Sequence, residues 1–293
     1  MTETRSFEKA PATLPLMLKA ALPALPVIGG LPGIKHRSGE APDLVLTRSG
    51  VETDPKHLAT YREICGFPHT EHVPATYPHM AAFGLHMALM TDTAFPFAPM
   101  GLVHLRNSIT QYRPIDTDDI IDVTVRAADL RPHPKGRLID VFTEVKVDGD
   151  VAWTETMTLF SRGKGGGPEQ TAAPLERVEA PKGVVHWKLD GGLGRRYGAV
   201  SGDRNPIHLY PITAKAFGFP SNIAHGMWTK ARCLAALENK LPDAFTVDVE
   251  FRKPILLPST VVFGSRTSGE SITFGVTGAK KPSTHLVGRV TAL

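Results

Sequence analysis

Cysteine is scarce in this chain: Cys65 and Cys233 are the only two among 293 residues. Two cysteines so far apart supply neither a disulfide framework nor a Cys-based zinc site, and a reducing, cytoplasmic setting is the expectation. Long runs of Lys and Arg are also missing. The 33 basic residues exceed the 29 acidic ones by only four, so a nucleic-acid partner is not expected. Such a mild excess suits an anionic small ligand or an acidic carrier. Finally, no apolar run is both long and uninterrupted. The most apolar stretch, LPLMLKAALPALPVIGGLPG at residues 14–33, is broken by Lys19 and several prolines, whereas a spanning helix takes about 20 apolar residues. It also lacks the basic start of a signal peptide. Membrane insertion is therefore not expected, and the stretch reads as an extended lead-in that packs on the body.

What is present is ordinary globular material, 42% hydrophobic and 21% charged. The length exceeds one small core and implies two modules of about 110–130 residues. Residues 161–183, SRGKGGGPEQTAAPLERVEAPKG, show no apolar periodicity and read as a linker. The expected division is a lead-in at 1–44, a module at 45–160, a linker at 161–184 and a second module at 185–293.

The halves echo each other. YREICGF at 61–67 aligns with YGAVSGD at 197–203, and ITQYRPI at 109–115 aligns with VEFRKPI at 249–255. Two matches in the same order at offsets of 136 and 140 residues point to an internal duplication. Each half has a short helix (about 56–65 and about 194–201), then PHMAAFGLHMALMTD or GMWTKARCLAALENKL as a longer apolar helix. The first of these is apolar nearly all round, which predicts burial. The second predicts a buried face of Trp228, Ala231, Leu234 and Ala235, with Lys230, Glu238 and Lys240 elsewhere. Alternating or β-branched stretches follow each helix, and Asp148-Gly149 marks a hairpin. One apolar helix followed by an antiparallel meander, twice, is an α+β pattern.

The segment that carries chemistry is YGAVSGDRNPIHLYPITAKAFGFPSNIAHGM, residues 197–227. Gly202 permits a tight backbone after the helix. Asn205-Pro206 favours a turn with Pro at the first helical position, so Asp203 and His208 can face the same side. Asp203 alone reads as a helix cap and His208 alone as a structural histidine; together they read as an acid–base pair. With His225 they also make three nominal metal ligands, but no further ligand cluster accompanies them and no metal or cofactor is expected.

This segment resembles the MaoC-like hydratase/dehydratase family of hot-dog proteins, the (R)-specific enoyl-CoA hydratases. The family pattern Y-x-x-x-S-G-D-x-N-P-I-H, then A-x-x-x-G-F and I-x-H-G-M, is met by Tyr197, Ser201, Gly202, Asp203, Asn205, Pro206, Ile207, His208, Gly218, Phe219, Ile223, His225, Gly226 and Met227. TYP at 76–78, FPFAPMG at 95–101 and ITQYRPI are similar to the two-module actinobacterial 3-hydroxyacyl-thioester dehydratases. The resemblance implies a double hot dog, each module a sheet wrapped around a helix. It also implies reversible syn addition or removal of water across Cα–Cβ of an acyl-CoA or acyl carrier protein thioester, in fatty-acid or long-chain lipid metabolism. Asp203 and His208 are then the catalytic dyad, and the backbone N–H of Gly226 is the oxyanion donor. Ser201, Asn205, Ile223, His225 and Met227 are expected around the substrate. The chemistry agrees: a neutral His takes the α-proton and a carboxylic acid protonates the leaving hydroxyl, which calls for an apolar pocket that keeps the Asp203 proton.

Two departures from the pattern matter. Tyr210 stands where the family often has a capping Asp or Asn. In the first half, the ungapped position of Asp203 is Phe67 while that of His208 is His72, so one active site per chain is expected. Two other functions stay open: a non-catalytic acyl-thioester-binding partner subunit, or a hot-dog thioesterase. A double hot dog is compatible with a monomer or with a homodimer.

Overall fold

A computed structural model describes residues 2–21, 39–163, 165–167, 175, 177–281 and 283–293. They gather into two compact units. The first comprises Met1–Glu52, Pro78–Asn107 and Asp119–Ala172; the second comprises Thr53–Tyr77, Ser108–Asp118 and Ala173–Leu293. The architecture is α+β, with antiparallel sheet and few helices in each unit.

In the first unit, β1 (Glu3–Ser6), helix α1 (Thr13–Ala21) and β2 (Leu44–Val51) lead to the long helix α3 (Pro78–Met90). After β3 (Leu102–Gln111) come β4 (Ile121–His133), β5 (Gly136–Val147) and β6 (Asp150–Arg162). The strand order is β1-β2-β4-β5-β6-β3. Strand β1 pairs parallel with β2, while β2/β4, β4/β5 and β5/β6 are antiparallel. The Asp148-Gly149 hairpin forms as predicted. Both residues have positive φ, 52° and 88°, as a two-residue I′ turn demands, and they set Val147 opposite Asp150. Along β5, Val141, Thr143, Val145 and Val147 are buried and alternate with Phe142, Glu144 and Lys146.

Helix α3 lies against β2, β4 and β5 and is buried nearly all round, including Phe83, Leu85, Met87 and Leu89. Gly84 is needed here, because a Cβ would meet the Pro11 carbonyl oxygen at 2.9 Å. The segment around Pro11 thus lies against α3. The lead-in is not extended throughout. Residues Thr13–Ala21 are helical, because Pro15 falls in the first turn, where its missing N–H costs nothing. Ala20 then joins Phe83 and Met87 in a small core with Leu16, Met17, Met90 and Met100. Residues 22–38 of the apolar run lie outside the described residues.

The second unit opens with α2 (Pro55–Cys65) and continues through β7 (Val185–Leu189), α4 (Leu193–Ser201), α5 (Pro206–Leu209), α6 (Pro211–Ala216) and α7 (Gly226–Ala235). The strands β8 (Phe245–Phe251), β9 (Ser259–Ser268), β10 (Ser271–Gly278) and β11 (Thr284–Ala292) follow. The sheet runs β8-β11-β10-β9-β7, antiparallel between each of these neighbours. Helices α2 and α4, the repeat-related pair, pack on each other. They end alike: Gly66 (φ 79°) and Gly202 (φ 77°) are both left-handed C-caps, the conformation glycine adopts without a Cβ penalty.

Helix α7 corrects one expectation. Lys230, read as lying off the buried face, is fully buried and donates from Nζ to the Val247 carbonyl of β8 at 3.1 Å. Its side chain turns into the interior toward β8, so the buried polar end takes a main-chain partner. In the linker region, the described residues between 163 and 183 form no helix or strand. Its end is pinned, with Leu175 and Val178 carbonyls accepting from Arg252 Nη2 at 2.8 and 2.9 Å.

Candidate active site

The turn that carries Asp203 and His208 is built by short-range hydrogen bonds. After the left-handed Gly202, the Asp203 N–H donates to Ser201 Oγ at 3.2 Å, and Asp203 Oδ1 accepts from the Asn205 N–H at 3.1 Å. Asn205 caps α5, its Oδ1 accepting from the Ile207 N–H at 3.3 Å, and Pro206 fills the first helical position. This is the geometry the Asn-Pro pair predicts. Asp203 and His208 therefore lie on one side of the turn. One ligand-type atom from each of Asp203, His208 and His225 lies within 4.8 Å of the others.

The tautomer of His208 follows from its partner. Nδ1 is 2.8 Å from the Ile223 carbonyl oxygen. A carbonyl only accepts, so Nδ1 carries the hydrogen and the neutral ring keeps its lone pair on Nε2. That carbonyl is itself fixed: Ile223 N–H donates to Ile207 O at 3.0 Å, and Ala224 N–H to Ile255 O at 2.9 Å. Burial pushes the His208 pKa below its ordinary value, opposed by the nearby Asp203 charge and the bond to Ile223. Near neutrality the ring is a free base.

His225 completes the cluster. It stacks on His208 with ring centroids 3.7 Å apart at 24°. Its Nε2 donates to the Asp203 carbonyl at 2.9 Å and lies 3.8 Å from Asp203 Oδ2. Burial, reinforced by the neighbouring His208, lowers its pKa to about 3, so His225 stays neutral and does not compete as a base. Its Nδ1 is buried without a hydrogen-bond partner. The Asp203 side chain keeps 29% of its exposure while that of His225 keeps 3%, so the acid is the member of the cluster reached from solvent.

Gly226 is the first residue of α7, where a backbone N–H has no intrahelical acceptor and the helix dipole favours negative charge. The Phe251 ring lies 3.1–3.2 Å from where a Cβ on Gly226 would stand. Met227, next in the helix, is buried, as are Ser201 and Ile223. Each expected site residue is thus in or beside this one turn-and-helix junction.

Several supporting residues were not anticipated. A Cβ on Gly194 would overlap the His208 carbonyl oxygen, and one on Gly198 would stand 2.8 Å from the Asp203 carbonyl oxygen. These two glycines, four apart on α4, let the catalytic turn lie directly on the helix. Their i, i+4 spacing was the available signal. Asn222 Nδ2 donates to the carbonyls of His208 and Gly191, both at 3.2 Å. From α2, His57 Nε2 donates to the Val200 carbonyl at 2.7 Å while its Nδ1 accepts from Tyr77 OH at 2.9 Å. Tyr210 leaves α6 without a side-chain cap; Thr213 Oγ1 bonds the Tyr210 carbonyl at 2.9 Å, and the Tyr210 ring lies under Arg195. In the first-half motif, Phe67 is buried and stacked on Tyr61, while His72 is exposed and paired with Asp116 at 2.5 Å.

A sheet packed on one apolar helix, with an acid and an imidazole held at that helix's start, places the second unit among hot-dog proteins. Residues 181–285 match the model of the MaoC like domain. The chain is 41% identical over 251 residues to 3-hydroxyacyl-thioester dehydratase X of Mycobacterium tuberculosis, covering 85% of this chain and 87% of that one. The crystal structure of HtdX from M. tuberculosis superposes with a TM-score of 0.76 at 38% identity, over 85% of this chain and all of that one. A further M. tuberculosis protein, described as a double hotdog fold, gives a TM-score of 0.52 at 14% identity, over 88% of this chain and 96% of that one. The chain belongs to the MaoC-like dehydratase family and has its double hot-dog fold. Among the described residues, no helix is long and apolar enough to cross a membrane.

Proposed function

We propose that this chain is an (R)-3-hydroxyacyl-thioester dehydratase, equally a 2-enoyl-thioester hydratase in reverse. The observation that carries the reading is the His208–Ile223 bond: it leaves a neutral, basic Nε2 beside Asp203. In dehydration, His208 Nε2 takes the α-proton as the Cα–Cβ double bond forms. Protonated Asp203 gives its proton to the departing β-hydroxyl, which leaves as water. The Gly226 N–H stabilises the enolate-like oxygen that builds on the thioester carbonyl. The products are the enoyl thioester, an imidazolium and a carboxylate, and return of the imidazolium proton to Asp203 resets the dyad. Hydration runs the same steps backward. Asp203 must hold its proton at the start of dehydration.

Residues 185–293 form the catalytic module in this reading, joined through 161–184 to a non-catalytic module at 45–160. Ser201, Asn205 and His225 hold the dyad and, with Ile223 and Met227, shape the substrate's surroundings. The carrier is CoA or an acyl carrier protein, the setting is cytoplasmic fatty-acid or long-chain lipid metabolism, and the enzyme works as a monomer or homodimer of double hot dogs. The test is hydration of a trans-2-enoyl-CoA by the wild type, Asp203→Asn and His208→Asn. Loss of general acid–base catalysis predicts a fall of about 10²–10⁴-fold in either variant. Equal rates in all three would refute the dyad. Tight binding without turnover by the wild type would instead mark a non-catalytic partner, and release of free thiol would mark a thioesterase.

A further inference from the structure

The first unit holds a second cluster of ionisable groups that the dehydration chemistry does not use. His79 and His86 stand two turns apart on α3, with ring centroids 5.1 Å apart. Glu155 projects from β6. All three are buried, at 4%, 0% and 1% exposure, and one ligand-type atom from each lies within 4.8 Å of the other two. His79 Nδ1 is 2.8 and 3.0 Å from the two Glu155 carboxylate oxygens, and Asn107 Nδ2 donates to Glu155 Oε1 at 2.7 Å. His86 Nε2 is 2.7 Å from Thr143 Oγ1, whereas His86 Nδ1 is buried with no hydrogen-bond partner.

We propose that His79, His86 and Glu155 form a structural site for a divalent cation of the zinc class. Two imidazoles and one carboxylate are a ligand set that zinc and its first-row neighbours accept. The partnerless Nδ1 is the feature an ion pair alone leaves unexplained, since the His79–Glu155 pair satisfies only its own members. A cation takes the position of the proton between His79 Nδ1 and Glu155, and the imidazole then carries its hydrogen on Nε2. His86 binds through Nδ1 while its Nε2–H donates to Thr143. This is the outer hydrogen bond that metal-bound histidines usually make, and Asn107 does the same for the carboxylate. Tetrahedral ligand atoms sit about 3.3 Å apart on zinc, and one donor atom from each of the three residues lies within 4.8 Å of the others before any cation draws them in. The cation would clamp α3 to β6 in the half that lacks a dyad. Its role is structural, because buried ligands leave no path for an acyl thioester.

The test uses the full chain, stripped with EDTA and titrated with Co²⁺, followed by gel filtration, elemental analysis and visible spectroscopy. One equivalent of cobalt with the intense visible bands of a four-coordinate site, three positions taken by the protein and the fourth by water, displaced by one equivalent of Zn²⁺, is expected. Glu155→Gln and His86→Gln should lose that equivalent. Asp203→Asn and His208→Asn should keep it, and these serve even if the buried-cluster variants do not fold. Retention of less than about one-tenth of an equivalent by the wild type would leave only a buried ion pair and overturn the proposal. Loss of the equivalent in the Asp203 or His208 variants would place the metal in the other cluster and overturn it too.

Discussion

Gly194→Ala separates the geometry of the dyad from its chemistry, since it changes no reacting group. The added Cβ overlaps the His208 carbonyl oxygen, whereas an ordinary C···O contact is about 3.3 Å or longer. Helix α5 must therefore move away from α4 by more than about 1 Å, carrying His208 with it. A misplacement of that size costs on the order of 10²-fold in rate. The stability cost is smaller, about 0–2 kcal/mol against the roughly 2.7 kcal/mol of a 10²-fold rate loss, because overpacking at about 1–3 kcal/mol is partly offset by the helix propensity that Ala gains over Gly, about 1 kcal/mol. Gly198→Ala is the graded control. Its Cβ would stand 2.8 Å from the Asp203 carbonyl oxygen, so a shift of about 0.5 Å suffices and a smaller loss is expected. The assay is kcat/KM for enoyl-CoA hydration beside thermal unfolding of the same samples. A Gly194→Ala enzyme with undiminished kcat/KM would refute the claim that α4 sets the dyad.

The remaining expectations rest on the same turn and on the pKa shifts. Asn205→Ala removes the α5 cap and should cost about 1 kcal/mol, about 2–4 °C in Tm for a chain of this size, and Asn205→Asp should restore most of it. Because burial lowers His208 and brings His225 to about 3, the unfolded chain binds more protons than the folded one below pH 6.5. Stability is then complete above 6.5 and is lost as pH falls toward 3. His225→Asn should flatten the fall in thermal stability between pH 6 and 4 by on the order of 1 kcal/mol per pH unit, and superimposable profiles would count against the buried neutral ring. In the dehydration direction the acid limb of kcat/KM should lie below 6.5, since His208 must be unprotonated to accept the α-proton. Gly149→Ala, at φ 88°, should lower stability by about 1 kcal/mol without touching kcat.

The site was readable because its parts are consecutive. Residues 201–208 write their own turn through Gly202, Asn205 and Pro206, and the side-chain hydrogen bonds that close it, Ser201–Asp203, Asp203–Asn205 and Asn205–Ile207, each span two residues. What escaped reading depends on contacts distant in sequence. His57 reaches Val200 from 143 residues away, and His79 reaches Glu155 across 76. Neither pair leaves a trace in local spacing. Lys230 was misread for a related reason: helical periodicity assumes a solvent face, and β8 removes it by supplying the Val247 carbonyl. The helix Thr13–Ala21 escaped because prolines across residues 14–33 read as breakers, although Pro15, the one inside it, falls where a helix tolerates it.

The two halves of the repeat differ at the proposed dyad by more than a single substitution. Gly66 and Gly202 end their helices in the same left-handed conformation, so Phe67 and Asp203 leave equivalent caps. Past that point the chains diverge. Asp203 is followed by an Asn-Pro turn that starts α5 and lifts His208 onto the Ile223 carbonyl. Phe67 is followed at once by Pro68, which lacks an N–H and disfavours helix at the residue before it, and no helix forms before α3. His72 consequently lies in an isolated bridge with Asp116, exposed to water. An acid restored at position 67 would therefore face no base. In the first half, residues 66–77 hold neither an Asn-Pro turn that starts a helix nor an acid at position 67.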